Sequence, residues 1–130
     1  MAHTCEIKPR FYELDPYDHV NHSVYIQYFE TARIEWLTEV GYGLDTLKKM
    51  GRQIVVVKIN TSFTSPAVAD DLLTVTTQVA EVRRATVSWH QQITRGEDVI
   101  ATQLMEAAMT DSNGRPTRWL PELLEALDVT

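Results

Sequence analysis

The hydrophobic positions change period along the chain, and the changes mark out its elements. Residues 5–13 carry β-formers and aromatics in a short run that Asp15-Pro16-Tyr17-Asp18 breaks, because proline fixes its own backbone and disfavours helix just before it. This predicts a strand ending in a tight loop. From Asn21 the spacing becomes helical. Tyr25, Tyr28, Phe29, Ala32, Trp36 and Val40 share one face at 3.6 residues per turn, with Asn21 suited to cap the start and Gly41 to stop it. A weaker helical piece covers 44–49 and ends at Gly51. Beyond it the period falls to two. Residues 53–64 set Val55, Val57, Ile59 and Phe63 on one face, and 72–82 is rich in Val and Thr. Residues 86–94 alternate through Val87, Trp89 and Ile93, and 99–110 form the last long strand. Ser65-Pro66, Arg83-Arg84 and Arg95-Gly96-Glu97-Asp98 mark the turns between them. Asp111-Ser112-Asn113-Gly114-Arg115-Pro116 is dense turn chemistry, and Pro121 with Glu122 suits the first turn of a short closing helix.

A strand, one long helix and then four strands joined by short turns do not make the βαβ alternation of a parallel sheet. The expected class is α+β, an antiparallel sheet of about five strands wrapped around one central helix. With 130 residues and no linker or repeat, residues 1–130 read as a single domain. The sheet's edge and outer face would expose Val, Ile and Leu, which pairing with a second copy would cover. A subunit this small leaves little room for a deep internal pocket, so a ligand site shared between chains is expected.

Charge removes several function classes. Twelve Lys plus Arg against 18 Asp plus Glu give −6, with no basic run longer than Arg83-Arg84, which argues against nucleic acid and anionic membranes as partners. No stretch approaches the roughly 20 apolar residues of a membrane span, and Met1-Ala2-His3-Thr4-Cys5 lacks a signal-peptide core, so the cytoplasm is the expected location. The lone Cys5 has no internal disulfide partner and reads as a small buried thiol rather than a nucleophile. No metal is expected, since there is no Cys pair, no His-x-x-x-His on a helix and no acidic calcium loop.

The densest reactive chemistry lies between the first strand and the long helix. There Asp15, Asp18, His19, Asn21 and His22 fall within eight residues, delivered at a helix N-terminus. Unpaired N–H groups and the partial positive charge of a helix start can polarise a carbonyl, and a carboxylate beside them can act as nucleophile or general base. The competing reading is that Asp15 or Asp18 only caps a turn.

The run Asp15-Pro16-Tyr17-Asp18-His19-Val20-Asn21-His22-Ser23-Val24-Tyr25, continuing into Glu30-Thr31-Ala32-Arg33 and ending late in Gly114-Arg115-Pro116, resembles the hotdog-fold acyl-CoA thioesterases of the 4-hydroxybenzoyl-CoA thioesterase-like group. The resemblance implies a sheet wrapped around the helix, a homodimer or dimer of dimers, and an active site at the subunit seam. By position, Asp15 would attack the thioester carbonyl or activate water, and the His22 N–H would polarise that carbonyl. Asn21 and Glu30 would support the site, and Tyr25 would line it. Two positions depart from the pattern: Asp18 stands where a glycine is common, and His22 replaces a second Asn. Arg33, three residues after Glu30, would pair with it on the helix surface. Coenzyme A brings phosphates, for which Arg84, Arg83, Arg115 and Arg118 are the candidate cations, Arg84 foremost.

The implied reaction is hydrolysis of an acyl-CoA, with no cofactor beyond the CoA of the substrate. An acyl-carrier-protein thioester is an alternative donor. Two other functions remain open on the same fold: an enoyl-CoA hydratase or dehydratase, weakened because the Asn-Pro pair of that motif is missing, and a non-catalytic acyl-CoA binding module.

Overall fold

The computed structural model describes residues 2–127. In chain order the elements are β1 (His3–Ile7), a 3₁₀ turn (Phe11–Glu13), α1 (His22–Glu39), α2 (Leu44–Lys49), β2 (Arg52–Phe63), β3 (Leu73–Val82), β4 (Thr86–Arg95), β5 (Asp98–Asp111), β6 (Pro116–Thr117) and α3 (Pro121–Ala126). The sheet runs β1-β3-β4-β5-β2 with every pairing antiparallel, and β6 adds to β5. β2 therefore leaves sequence order and becomes an edge.

Local chemistry fixes both ends of α1. Asn21 Oδ1 accepts the Ser23 N–H at 3.0 Å, which satisfies one orphan donor of the first turn. At the other end Gly41 takes φ +92°, its N–H reaches Thr38 O at 3.1 Å, and the Tyr42 N–H reaches Leu37 O at 2.8 Å, a Schellman closure. Tyr25, Tyr28, Phe29, Ala32 and Trp36 are buried as their spacing predicts, and Val40 packs at the margin.

Three expectations about the strands needed revision. The first strand stops at Ile7, and Phe11–Glu13 form a 3₁₀ turn instead of its continuation. Pro9 has no N–H for a ladder, and the Glu13 carboxylate accepts the Arg10 N–H at 2.7 Å to close the turn. In β2 a bulge falls between Val56 and Lys58, so the inward parity switches partway along the strand. Val55 pairs with Ala108, whereas Val56 and Ile59 stand opposite the buried Ala107 and Met105. The inner face is therefore Ile54, Val56, Ile59, Thr61 and Phe63, because the bulged residue shifts which side chains point to the core. The short β6 falls where only a turn was expected.

The core divides into two clusters, one around Phe29, Leu73, Val75 and Ile93, the other around Trp36, Trp89, Met105 and Leu123. A polar row separates them. Thr61, Gln103, Gln91, Thr77 and His3 stand directly opposite one another across β2, β5, β4, β3 and β1. Arg33 drops into this row from α1. Its Nη1 donates to Gln91 Oε1 at 2.7 Å and Gln103 Oε1 at 2.8 Å, while Gln91 Nε2 donates to Thr77 Oγ1 at 2.9 Å and Phe29 O at 2.8 Å. Arg33 is thus a core residue at 6% exposure, not the surface partner of Glu30. Burial pushes its guanidinium below the ordinary value, with the Glu30 carboxylate working the other way.

α1 lies over β1, β3 and β4. The inner face of β2 stays open beside it, with Ile59 39% and Phe63 49% exposed.

Candidate active site

The loop before α1 is closed on itself before it presents any chemistry. Leu14 and Val20 form an isolated antiparallel bridge, the Asp15 N–H donates to His19 O at 2.7 Å, and the Asp18 N–H donates to Asp15 O at 3.0 Å. The turn carries Asp18 at φ +64°, the left-handed region where glycine is the unstrained choice and Asp is among the tolerated residues. That geometry explains why a glycine is common there, and Asp18 is exposed as a turn residue. Asp15 Oδ1 accepts the Tyr17 N–H at 2.8 Å and the His19 N–H at 3.1 Å, which fixes the orientation of the half-buried carboxylate. Oδ2 has no protein donor among the described residues.

Three anchors hold this loop against the body. Tyr28 Oη donates to Glu13 Oε1 at 2.6 Å, and burial and this bond push the phenol upward in pKa. The Asn21 N–H donates to Glu13 O at 2.9 Å. The Val20 N–H donates to Ala67 O at 2.9 Å, which ties the loop to residues 64–71.

Asp15, His19, Val20, His22 and Tyr25 line a cavity of about 270 Å³, walled on its far side by Phe63, Thr64, Ser65 and Pro66. His22 is the first residue of α1, so its N–H belongs to the unpaired donors of the helix start, and among the described residues it meets no acceptor. Its ring stands edge-on to Phe63 at 6.3 Å. Tyr25 Oη accepts the Ala67 N–H at 3.0 Å, which leaves its own proton free to donate. Burial raises the Tyr25 pKa against the lowering effect of that N–H. A carboxylate, an unpaired helix-start N–H and a phenol thus share one cavity.

The other candidates are elsewhere. Asn21 serves as the helix cap, with its Oδ1 also accepting the Ser23 hydroxyl at 2.9 Å. Glu30, eight residues after His22 and so about 12 Å along the helix, lines a different cavity together with Arg33. Arg83 is engaged by Glu81 at 3.0 Å and Glu106 at 3.1 Å. Arg83 and Arg84 lie in the β3–β4 turn and Arg115 and Arg118 follow β5, at the end of the sheet opposite the cavity within this subunit. One cation at the cavity end is Arg95, which the sequence marked only as a hairpin residue. Its Nη1 donates to Asp71 Oδ2 at 2.8 Å and Pro66 O at 3.2 Å, bracing the far wall. Burial works against the ionised Asp71, but the Val68 N–H and Arg95 outweigh it and hold the carboxyl below its usual range. The Ser65-Pro66 break was the available signal for this wall, yet nothing local shows that it meets Asp15.

Away from the cavity, His3 Nε2 and the Glu35 and Glu39 carboxylates gather within 4.8 Å of one another. His3 Nε2 lies 3.0 Å from Glu39 Oε2, a contact that ties β1 to α1. Cys5 is buried, and burial followed by Glu35 pushes its thiol up to about 11. No helix among the described residues is long and apolar enough to cross a membrane.

Residues 9–127 match the model of the thioesterase-like superfamily. The chain is 39% identical over 77 residues to the long-chain acyl-CoA thioesterase FadM of Escherichia coli K12, a match spanning 59% of this chain and 58% of that one. It is 32% identical over 93 residues to the acyl-CoA thioesterase YbgC of Haemophilus influenzae, covering 71% of this chain and 68% of the relative. Among solved structures, the YbaW probable thioesterase of Escherichia coli superposes with a TM-score of 0.85 at 31% identity, over 97% of this chain and 96% of that one. With the hotdog arrangement of helix and sheet described above, these matches establish that the chain belongs to the thioesterase-like superfamily.

Proposed function

We propose that the chain hydrolyses acyl-CoA thioesters to a carboxylic acid and free CoA, with Asp15 as the base and the His22 N–H as the group that polarises the carbonyl. The observation that carries this reading is the placement of both in one cavity, the carboxylate clamped through Oδ1 and left with Oδ2 to act. Asp15 takes a proton from water as the water oxygen bonds to the carbonyl carbon. Negative charge gathers on the carbonyl oxygen at the positive end of α1, where a fixed N–H stabilises it without reorganising. The C–S bond then breaks and the proton passes to the leaving sulfur. FadM and YbgC, both named acyl-CoA thioesterases, support CoA as the carrier.

The same reading calls for a second copy of the chain. β2 is a twelve-residue edge with Val55, Val56, Val57 and Ile59 exposed, the kind of strand that pairs when left uncovered. Antiparallel pairing of two β2 strands would set the end of each sheet that carries Arg115 beside the cavity end of the other. A CoA phosphate would then meet Arg115 of the partner subunit, which reconciles that arginine with its distance from Asp15 in one chain.

The test is release of free thiol from a panel of acyl-CoAs. The wild type should release thiol, and Asp15→Asn should lower turnover by about a hundredfold or more, the scale of losing a positioned base. Unchanged turnover in Asp15→Asn, or saturable binding with no thiol released by the wild type, would contradict the assignment.

A further inference from the structure

The edge of the sheet away from β2 carries a second set of converging side chains. His3 on β1 and Glu35 and Glu39 on α1 bring one ring nitrogen and two carboxylate oxygens within 4.8 Å of one another. No spacing motif announces the set, because 36 residues separate His3 from Glu39. The imidazole is held firmly by its surroundings. It is 7% exposed and stacks on Trp36 with ring centroids 5.9 Å apart and planes at 13°. Its Nδ1 is buried without a partner, so among the described residues the ring's polar contacts are the two carboxylates, with Nε2 at 3.0 Å from Glu39 Oε2 and 3.6 Å from Glu35 Oε1.

Like charges one helical turn apart repel, and among the described residues neither glutamate has a Lys or Arg at salt-bridge distance. The donor set indicates which cation suits them. Zinc bonds to His nitrogen and carboxylate oxygen at about 2.0–2.2 Å, which at a tetrahedral angle puts neighbouring donors about 3.3–3.6 Å apart. The observed 3.0 and 3.6 Å need adjustments of a few tenths of an ångström, and the glutamate side chains, 52% and 65% exposed, have room to make them. The same exposure leaves a fourth position to water. Calcium takes six to eight oxygens and magnesium an octahedron of them, whereas an imidazole in a small donor set suits zinc and its neighbours. Cys5, the next inward residue of β1, is buried, and its sulfur lies outside the set.

We propose that His3, Glu35 and Glu39 bind one divalent transition-metal ion of the zinc class, with water completing the tetrahedron. The ion bridges β1 to α1. β1 is the five-residue end strand of the sheet and pairs with β3 alone, so a metal that ties it to the helix secures the strand with the fewest bonds of its own. Glu35 follows His22 by thirteen residues on α1, about 20 Å along the axis. The site is therefore separate from the Asp15 cavity, and the inference does not depend on the hydrolase reading. Nδ1 has no acceptor to orient and strengthen the ligating ring, a partner worth about 10–100-fold in affinity. With three protein ligands, that sets the expected Kd in the micromolar range.

The experiment titrates the chelator-dialysed protein with ZnCl2 in competition with a chromophoric chelator, and repeats urea unfolding with and without the metal. One Zn2+ per chain should bind, and free Zn2+ at a hundred times Kd should move the folding equilibrium about a hundredfold toward the native state. Mg2+ and Ca2+ at the same concentration should not displace it. Glu35→Gln and Glu39→Gln keep the size and helix propensity of exposed side chains. Each should weaken zinc binding at least about tenfold, since even a group behind a ligand is worth that much, and His3→Gln should do the same. Cys5→Ser and His22→Gln should leave Kd unchanged. No zinc bound by the wild type, or a urea midpoint indifferent to zinc, would reduce the three side chains to an ion pair and overturn the inference. Binding that persists in the doubly substituted Glu35→Gln, Glu39→Gln protein, or that is lost in Cys5→Ser or His22→Gln, would overturn it as well by placing the metal elsewhere.

Discussion

Replacing Gln91 with leucine keeps roughly the same side-chain size while removing the hub of the polar row. Gln91 is fully buried, accepts from the Arg33 guanidinium at 2.7 Å and donates to Thr77 Oγ1 at 2.9 Å and Phe29 O at 2.8 Å. The bond from a charged donor is worth about 1.5–3 kcal/mol and the bond to threonine about 0.5–1.5 kcal/mol. Phe29 O sits mid-helix with an intrahelical donor in reach, so its share is small. The expected loss is about 3 kcal/mol, or about 10 °C in Tm for a chain of this length. Urea unfolding at fixed protein concentration reads it directly, and an unchanged slope would show that stability rather than compactness moved. Arg33→Met should also destabilise, since it strands the Gln91 and Gln103 carbonyls. The double variant should cost at least about 1 kcal/mol less than the sum of the singles, because each removes what the other needs. A loss below about 1 kcal/mol for Gln91→Leu, or strict additivity in the cycle, would refute the view that Arg33 is held by this row.

Two further outcomes follow from the ionisable groups. Asp71 is held below its usual pKa in the folded chain, so its ionised form stabilises the fold above the ordinary carboxylate value of about 4, and that contribution fades as pH falls through the lower folded value. Asp71→Asn should therefore be less stable than wild type at pH 7, with the gap in urea midpoint closing in acid; a gap independent of pH would contradict the pairing with Arg95. Cys5, pushed up to about 11, stays a thiol at neutral pH. It should resist iodoacetamide in the native protein at pH 8 and react once urea unfolds it, with turnover of Cys5→Ser within about twofold of wild type; rapid native alkylation would contradict its burial.

Much of this architecture is readable in the sequence, and the places where it is not share a cause. The α1 face, the Asn21 cap, the Gly41 stop and the Gly96 hairpin are local matters, decided by residues within a turn or two of one another. The bulge in β2 is not local. Val55, Val57 and Ile59 alternate as a strand should, and only pairing with β5 shows that one residue is extra. Arg33 misled for the same reason. Spacing from Glu30 suggested a surface pair, whereas its partners lie 58 and 70 residues away. In the candidate site, the Asp15 loop and the helix start were legible because they are contiguous. The wall of Phe63 and Pro66, and the Arg95–Asp71 brace behind it, come from β2, β4 and the connection from β2 to β3, so no spacing rule reaches them.

The claim that chemistry occurs between Asp15 and the start of α1 is tested most directly by a crystal structure of the Asp15→Asn variant soaked with an intact acyl-CoA. The account predicts the thioester carbonyl oxygen within about 3.2 Å of the His22 nitrogen, a hydrogen-bond distance, with the carbonyl carbon facing the residue 15 side chain. A thioester bound with its carbonyl away from the His22 N–H, and residue 15 turned to solvent, would contradict it.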